Sequence, residues 1–242
     1  MLYNSNQIKI SYKGLKDNKV NFEIKNNRNG SVRYGVYGCA VNSCMIHSKV
    51  YGMNDILSGK KVNESYSIYD TEDYGIKTYE TIDVALEFYD VDNGYKTLDT
   101  CVIHIRLKDS KEAFVPNIKG KEFLDNDIIT ASFVAESTDI KDMGVLYYNK
   151  TDKVVYASLF NVSIDDTMIP LTTGFMDVPI LIPNCYGYSR VESKNVLWSS
   201  TMDYIEESKL TKPKKIDACV YVEARKNWED LLQTKELHIY KK

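Results

Sequence analysis

Along most of the 242-residue chain, apolar and polar residues alternate with a period of two. KVNFEIKN puts Val20, Phe22 and Ile24 on one face, and IDVALEFYD sets Ile82, Val84, Leu86 and Phe88 against Asp83, Ala85, Glu87 and Tyr89. IDACVYVEA repeats the pattern with Ile216, Ala218, Val220 and Val222. Successive side chains of a strand point to opposite faces, so these runs predict strands with one face buried and one wet. Turn residues separate them: NNRNG at 26–30, NS at 42–43, DNG at 92–94 and KN at 226–227. Asn-Gly supplies the positive φ of a tight hairpin turn. About seven short strands per half follow. Helical spacing is scarce: TEDYGIKTYE (71–80) and MDYIEESKL (202–210) accommodate a turn or two of helix.

The pattern is written twice. NQIKI at 6–10 meets NDIIT at 126–130, and VNSCMI at 41–46 meets IDDTMI at 164–169, placing Met45 over Met168 at an offset of 123. Near the ends of the halves the offset is 134: Ile82 and Asp83 fall on Ile216 and Asp217, and His104 falls on His238. Weak similarity that persists in order is what a duplication leaves. It predicts two domains, 1–108 and 109–242, joined through the charged stretch LKDSKEAFVPNIKGKEF. Half-buried strands need a second sheet over their apolar faces, and about 110 residues suits an all-β antiparallel sandwich. A barrel is the competing closure.

Two of the three histidines sit in matching hexapeptides, TCVIHI (100–105) and TKELHI (234–239). Alternation turns Ile103, Ile105, Leu237 and Ile239 inward and His104 and His238 outward. Equivalent positions in two domains predict one structural position occurring twice rather than a shared metal or proton-relay site.

Composition removes several functions. A net charge of −3, with 14 basic against 13 acidic residues before 109 and 17 against 21 after it, offers no basic surface for nucleic acid or anionic lipid. No apolar run approaches the roughly 18 residues of a membrane helix, and MLYNSNQIKI lacks the basic and apolar regions of a secretory signal. A cytoplasmic protein and one whose leader has been removed both remain open. Five cysteines make no disulfide framework; Cys39 and Cys44, flanking AVNS, are the one candidate bridge and are read as reduced packing residues. DVDNGYKTLD lacks the ligand spacing of a calcium loop, and Asp165 and Asp166 read as a hairpin tip. No nucleophile elbow, zinc motif or phosphate loop occurs, so no catalytic residue, metal ligand or cofactor is assigned.

Two features stand above this background. Tyrosine is abundant, at 19 residues, and suits recognition surfaces as well as exposed strand faces. The stretch PLTTGFMDVPILIPNCYGY (170–188) is read as six residues longer than its counterpart, on an offset that grows from 123 at Met45 to 129 with Lys61 over Arg190. Its apolar centre either tucks against the linker and glues the domains, the favoured reading, or presents a partner-contact patch of Val178, Ile180, Leu181, Ile182, Tyr186 and Tyr188.

IKISYKGL (8–15), VNSCMI (41–46), GKKVNESYSI (59–68) and IDVALEFYDVD (82–92) resemble immunoglobulin-like domains of unknown function from predicted secreted proteins and lipoproteins of low-GC Gram-positive bacteria. VSIDDTMI and KKIDACVYV carry the likeness into the second half, which has GYSRVE in place of the Gly-Lys-Lys stretch. The resemblance implies a tandem immunoglobulin-like pair in the cell envelope, non-catalytic, binding or spacing an unknown protein or glycan partner. The alternatives are a carbohydrate-binding module, for which the orientation of Trp198, Trp228 and nearby tyrosines is the test, a phage or secretion structural component, and a carboxylate hydrolase.

Overall fold

The structure is a computed structural model and describes residues 1–47, 51–69, 71–108, 114–137, 143–168, 180–190 and 212–242. It is all-β, in two compact units, Met1–Asn117 and Ile118–Lys242, which part within the charged stretch 107–123.

The first unit contains β1 (Tyr3–Asn4), β2 (Ile8–Lys16), β3 (Lys19–Asn26), β4 (Val32–Val41), β5 (Cys44–His47), β6 (Tyr51–Ile56), β7 (Lys61–Ser67), β8 (Thr81–Asp90) and β9 (Lys96–Arg106). One antiparallel sheet runs β1-β2-β3-β7. In the other, β4 carries β5 and β6 along one edge and β8 along the other, with β9 beyond β8. The second unit contains β10 (Lys121–Asp125), β11 (Ile129–Ala135), β12 (Met143–Asn149), β13 (Val155–Ile164), β14 (Thr167–Met168), β15 (Ile180–Leu181), β16 (Tyr186–Arg190), β17 (Lys215–Ala224), β18 (Glu229–Gln233) and β19 (Leu237–Lys241). Its sheets repeat the same plan. One runs β10-β11-β12-β16; in the other β13 carries β14 and β15 on one edge and β17 on the other, and β18 and β19 share the far edge of β17.

Predicted inward residues form the cores. Val20, Phe22 and Ile24 of one sheet and Ile82, Val84, Leu86, Phe88 and Ile103 of the other are essentially inaccessible, as are Ile216, Ala218, Val220 and Val222. Each large aliphatic or aromatic side chain so buried contributes about 1.5–3 kcal/mol. The opposite face of the central strands departs from expectation. Asp83, Ala85, Glu87, Asp217 and Cys219 are buried rather than wet. β8 and β17 have neighbours on both edges, so short side chains there are shaded by flanking strands, and strict alternation describes edge strands better than central ones.

Turn chemistry was only partly as expected. Both residues of the tips Asn42–Ser43 (φ 49° and 62°) and Asp165–Asp166 (φ 49° and 64°) are left-handed, as a two-residue hairpin demands. Asp17–Asn18 (φ 52° and 53°) is a third such tip. The Asn-Gly of NNRNG is not a hairpin turn, because β3 and β4 lie in different sheets and the segment is a crossover. Gly30 is needed there for space: a Cβ would stand 2.5 Å from Asp92 Oδ2. TEDYGIKTYE makes a single 3-10 turn at Glu72–Tyr74, and 202–210 lies outside the described residues.

Strand pairing also corrects two alignments. Ser5 and Asn126 play one role, with Oγ of the first accepting from Ile8 N–H (3.0 Å) and Oδ1 of the second from Ile129 N–H (2.9 Å). Ile8 therefore matches Ile129, one residue off the NQIKI/NDIIT alignment, because burial of Ile129 and Ala131 fixes which face points inward. Lys61 lies opposite Lys25, and Tyr186 lies opposite Tyr148, so Lys61 corresponds to Tyr186 and not to Arg190. The extra length before this strand is two residues rather than six.

Candidate functional site

Polar side chains inside the strands are committed to holding the fold, and they recur in both units. Asn26, fully buried at the end of β3, donates from Nδ2 to the carbonyls of Gly30 (2.7 Å) and Ile56 (2.9 Å) and accepts at Oδ1 from Arg28 N–H (2.9 Å). Asn149 does the same with Lys153 O (2.8 Å), Leu181 O (3.1 Å) and Thr151 N–H (2.9 Å). Each amide satisfies backbone groups of two chain segments at once, the requirement for a polar group away from water. A second anchor lies at the tips. Asn42 Oδ1 accepts from Glu80 N–H (2.8 Å) and Thr81 N–H (3.1 Å), while Asp165 Oδ1 accepts from Lys214 N–H (2.9 Å) and Lys215 N–H (2.8 Å).

Both histidines face outward, and each finds a carboxylate in its own unit. His104 Nδ1 lies 2.6 Å from Oδ1 of Asp83, its directly opposed neighbour, and His238 pairs with Asp217 in the same way. Asp83 hydrogen-bonded to the ring raises the His104 pKa above its ordinary value, against partial burial. Burial pushes Asp217 up, but Lys215 (2.8 Å) and His238 outweigh it and hold the carboxyl below its usual range. Each pair is an exposed ring on a buried carboxylate, an arrangement that orients the imidazole.

Ile180, Leu181 and Ile182 do not form a contact patch. All three are buried, and Val155 and Tyr156 of β13 pair with Leu181 and Ile180. Tyr186, half-buried, packs against Tyr148 with ring centroids 4.6 Å apart, and Tyr188 is half-buried as well. Val178 lies outside the described residues. Branched aliphatics between prolines here fill the edge of a core. Cys39 and Cys44 are free and buried, and burial raises both thiols, Cys44 to about 12.

Exposed chemistry concentrates at one turn of each unit, where β8 leads into β9 and β17 into β18. Among the described side chains, Tyr95 (47%) and Trp228 (57%) are the exposed aromatic rings. Each ends its turn with positive φ, 60° and 54°, a conformation that bulky residues rarely adopt. Each has a guanidinium over the ring, Arg33 at 4.5 Å from the Tyr95 centroid and Arg225 at 4.7 Å from that of Trp228. Arg33 is fixed by two hydrogen bonds to Asp55 (2.7 and 3.0 Å). In the second unit Tyr156 adds a ring nearly parallel to the indole, with centroids 5.7 Å apart and planes at 7°. Trp198, the other ring of the carbohydrate test, lies outside the described residues. The sequence points to Trp228 and to tyrosines near it without saying which, and the partners are Tyr156 of β13 and Arg225 of the turn itself.

No protein-family model matches the chain, and no curated protein does. Among solved structures it is similar to the YadV chaperone (9% identity, 96% of this chain and 99% of that one, TM-score 0.30). It is similar also to the exo-chitosanase CsxA of Amycolatopsis orientalis (12%, 95% of this chain but 26% of the enzyme, TM-score 0.29) and to red sea bream transglutaminase (10%, 99% and 32%, TM-score 0.29). These similarities are too slight to carry a conclusion about fold or activity.

Proposed function

We propose that the chain is a tandem immunoglobulin-like module of the cell envelope, non-catalytic, which acts by binding or spacing. The observation that carries this reading is the repeated plan. In each unit the sheet holding the first two long strands gains the strand that enters after the β5/β6 or β14/β15 edge, while the third strand pairs with the last hairpin, a partition that supports the immunoglobulin-like reading. Ionisable side chains of the central strands serve as anchors in both copies, whereas the units differ most in what their turns expose. That division of labour suits a scaffold presenting variable ends. Surface location comes from the family resemblance. The test is fractionation of cells expressing the tagged complete gene, with protease added to intact cells: the tag should be cleaved from outside, and a protected cytosolic pool would overturn the reading. A carbohydrate-binding module is the second reading, favoured by the outward position of Trp228.

A further inference from the structure

The indole of Trp228 has one face that neither of its neighbours covers. The Arg225 guanidinium lies 4.7 Å from the indole centroid and 5.6 Å from that of Tyr156, and the two rings are 5.7 Å apart. These distances make a nearly equilateral triangle. Groups on opposite faces of the indole would stand much farther from one another than from the ring between them, so guanidinium and phenol share a side, and Trp228 as a whole stays 57% exposed. The turn is fixed by its backbone, with Trp228 N–H donating to Ala224 O (3.0 Å) and Arg225 N–H to Val154 O (2.8 Å). A bulky residue at positive φ persists only where its surroundings enforce it, and such outliers gather at binding sites.

What fits an open aromatic face is decided by size and charge. A single indole offers on the order of 150–250 Å², far short of the roughly 800 Å² per partner that a stable protein interface needs. Its rim is hydrogen-bonding and ionic: Lys153 Nζ donates to Glu229 Oε2 (2.8 Å), and Asn227 Nδ2 donates to the same oxygen (3.2 Å). The Lys153–Glu229 pair on that rim is neutral overall and offers no surplus cation to a phosphodiester or uronic acid. A pyranose meets both conditions, since its C–H face is apolar and flat while its hydroxyls point outward to such groups.

We propose that this turn is a saccharide-stacking site, with Trp228 as the platform and a glycan of neutral or amino sugars as the ligand. The inference rests on the binding-module reading and gives it a ligand class. Tyr95 in the first unit is the weaker copy, a lone phenol under a guanidinium that Asp55 holds.

The test is titration of the full chain with hexasaccharides of glucose, mannose, N-acetylglucosamine and glucosamine, with a galacturonic acid hexamer as the anionic control. Binding is followed by calorimetry. At least one neutral or amino-sugar hexamer should bind, and Trp228→Ala should weaken it more than tenfold. Trp228→Asn keeps a residue that tolerates positive φ while removing the platform, so it should lose binding with its melting temperature unchanged; Tyr95→Ala should lose less. The proposal is overturned if no hexamer binds, if only the anionic one does, or if Trp228→Asn binds like the unsubstituted chain. Those outcomes leave the envelope reading standing, whereas a cytosolic protein that still bound a hexamer would sink that reading and spare this one.

Discussion

Compared position by position, the two units agree in the polar pairs anchored within their strands and diverge in what surrounds the exposed rings of their turns. Asn26 and Asn149 make the same three backbone bonds, and Asp83–His104 reappears as Asp217–His238. At the aromatic turns, by contrast, Arg33 over Tyr95 becomes Tyr156 beside Trp228 with a different arginine above. A buried polar group that loses its partner leaves others unsatisfied, so it resists change; an exposed ring has no such dependants. The hardest way to break the comparison is to remove the shared anchor. Asn26→Ala and Asn149→Ala each orphan one N–H and two carbonyls, and each should cost about 3 kcal/mol or more. Urea denaturation of each variant measures the loss. A cost below about 1 kcal/mol in either unit would show that the anchor is ornamental.

The hairpin tips give a sharper and smaller contrast. Asn42 and Asp165 accept equivalent N–H groups, but Asn42 also donates from Nδ2 to Thr78 O (2.8 Å), which an aspartate cannot do. Exchange should therefore be asymmetric. Asp165→Asn should be nearly neutral, since asparagine suits the left-handed position and keeps the acceptor, whereas Asn42→Asp should cost about 1–2 kcal/mol by setting a carboxylate against a carbonyl. Urea denaturation of the two variants decides it, and equal costs would mean that the Thr78 bond contributes nothing.

Much of this was legible beforehand, and what was missed has identifiable causes. The period of two and the Asn-Ser and Asp-Asp tips report local chemistry, so strands and hairpins could be read directly. The Asp–His pairs were nearly readable: a hairpin folded about 93–94 puts 83 opposite 104, and the duplication carries that to 217 and 238. Alternation reports only the face on which a side chain lies, so the histidines were placed outward without their lateral partners. Asn26 was absorbed into an apparent Asn-Gly turn, although the offset of 123 that matched Met45 with Met168 also sets it on Asn149. Its role depends on Ile56, 30 residues away, and no local signal marks that contact. The apolar run at 180–182 reads as glue against the linker in preference to a patch, and its place beside β13 is not marked, because hydrophobicity cannot tell which surface covers a strand.

Charge separates the units again at Asp217, which has Lys215 and His238 as partners, whereas Asp83 is paired with His104. With its folded pKa held below the ordinary value, the stabilisation from Asp217 is present above the usual carboxylate range and is lost as pH falls through the lowered value. Asp217→Asn should therefore cost about 1 kcal/mol near neutrality. The gap from the unsubstituted protein should close as the solution is acidified, and urea midpoints measured across the acid range check this; a gap that widens in acid would reverse the assignment.

The smallest effect belongs to His104, whose side chain is 72% exposed. Its folded pKa is raised by the hydrogen bond to Asp83, so its contribution is complete below the ordinary histidine value of about 6.5 and disappears as pH rises through the folded value. Solvent screening limits that contribution to about half a kcal/mol or less, so the ring itself is a better witness than a melting curve. An NMR titration of the His104 ring should give a midpoint above 6.5 that moves back toward 6.5 in Asp83→Asn. An unmoved midpoint would mean that the carboxylate orients the ring without favouring its charged form.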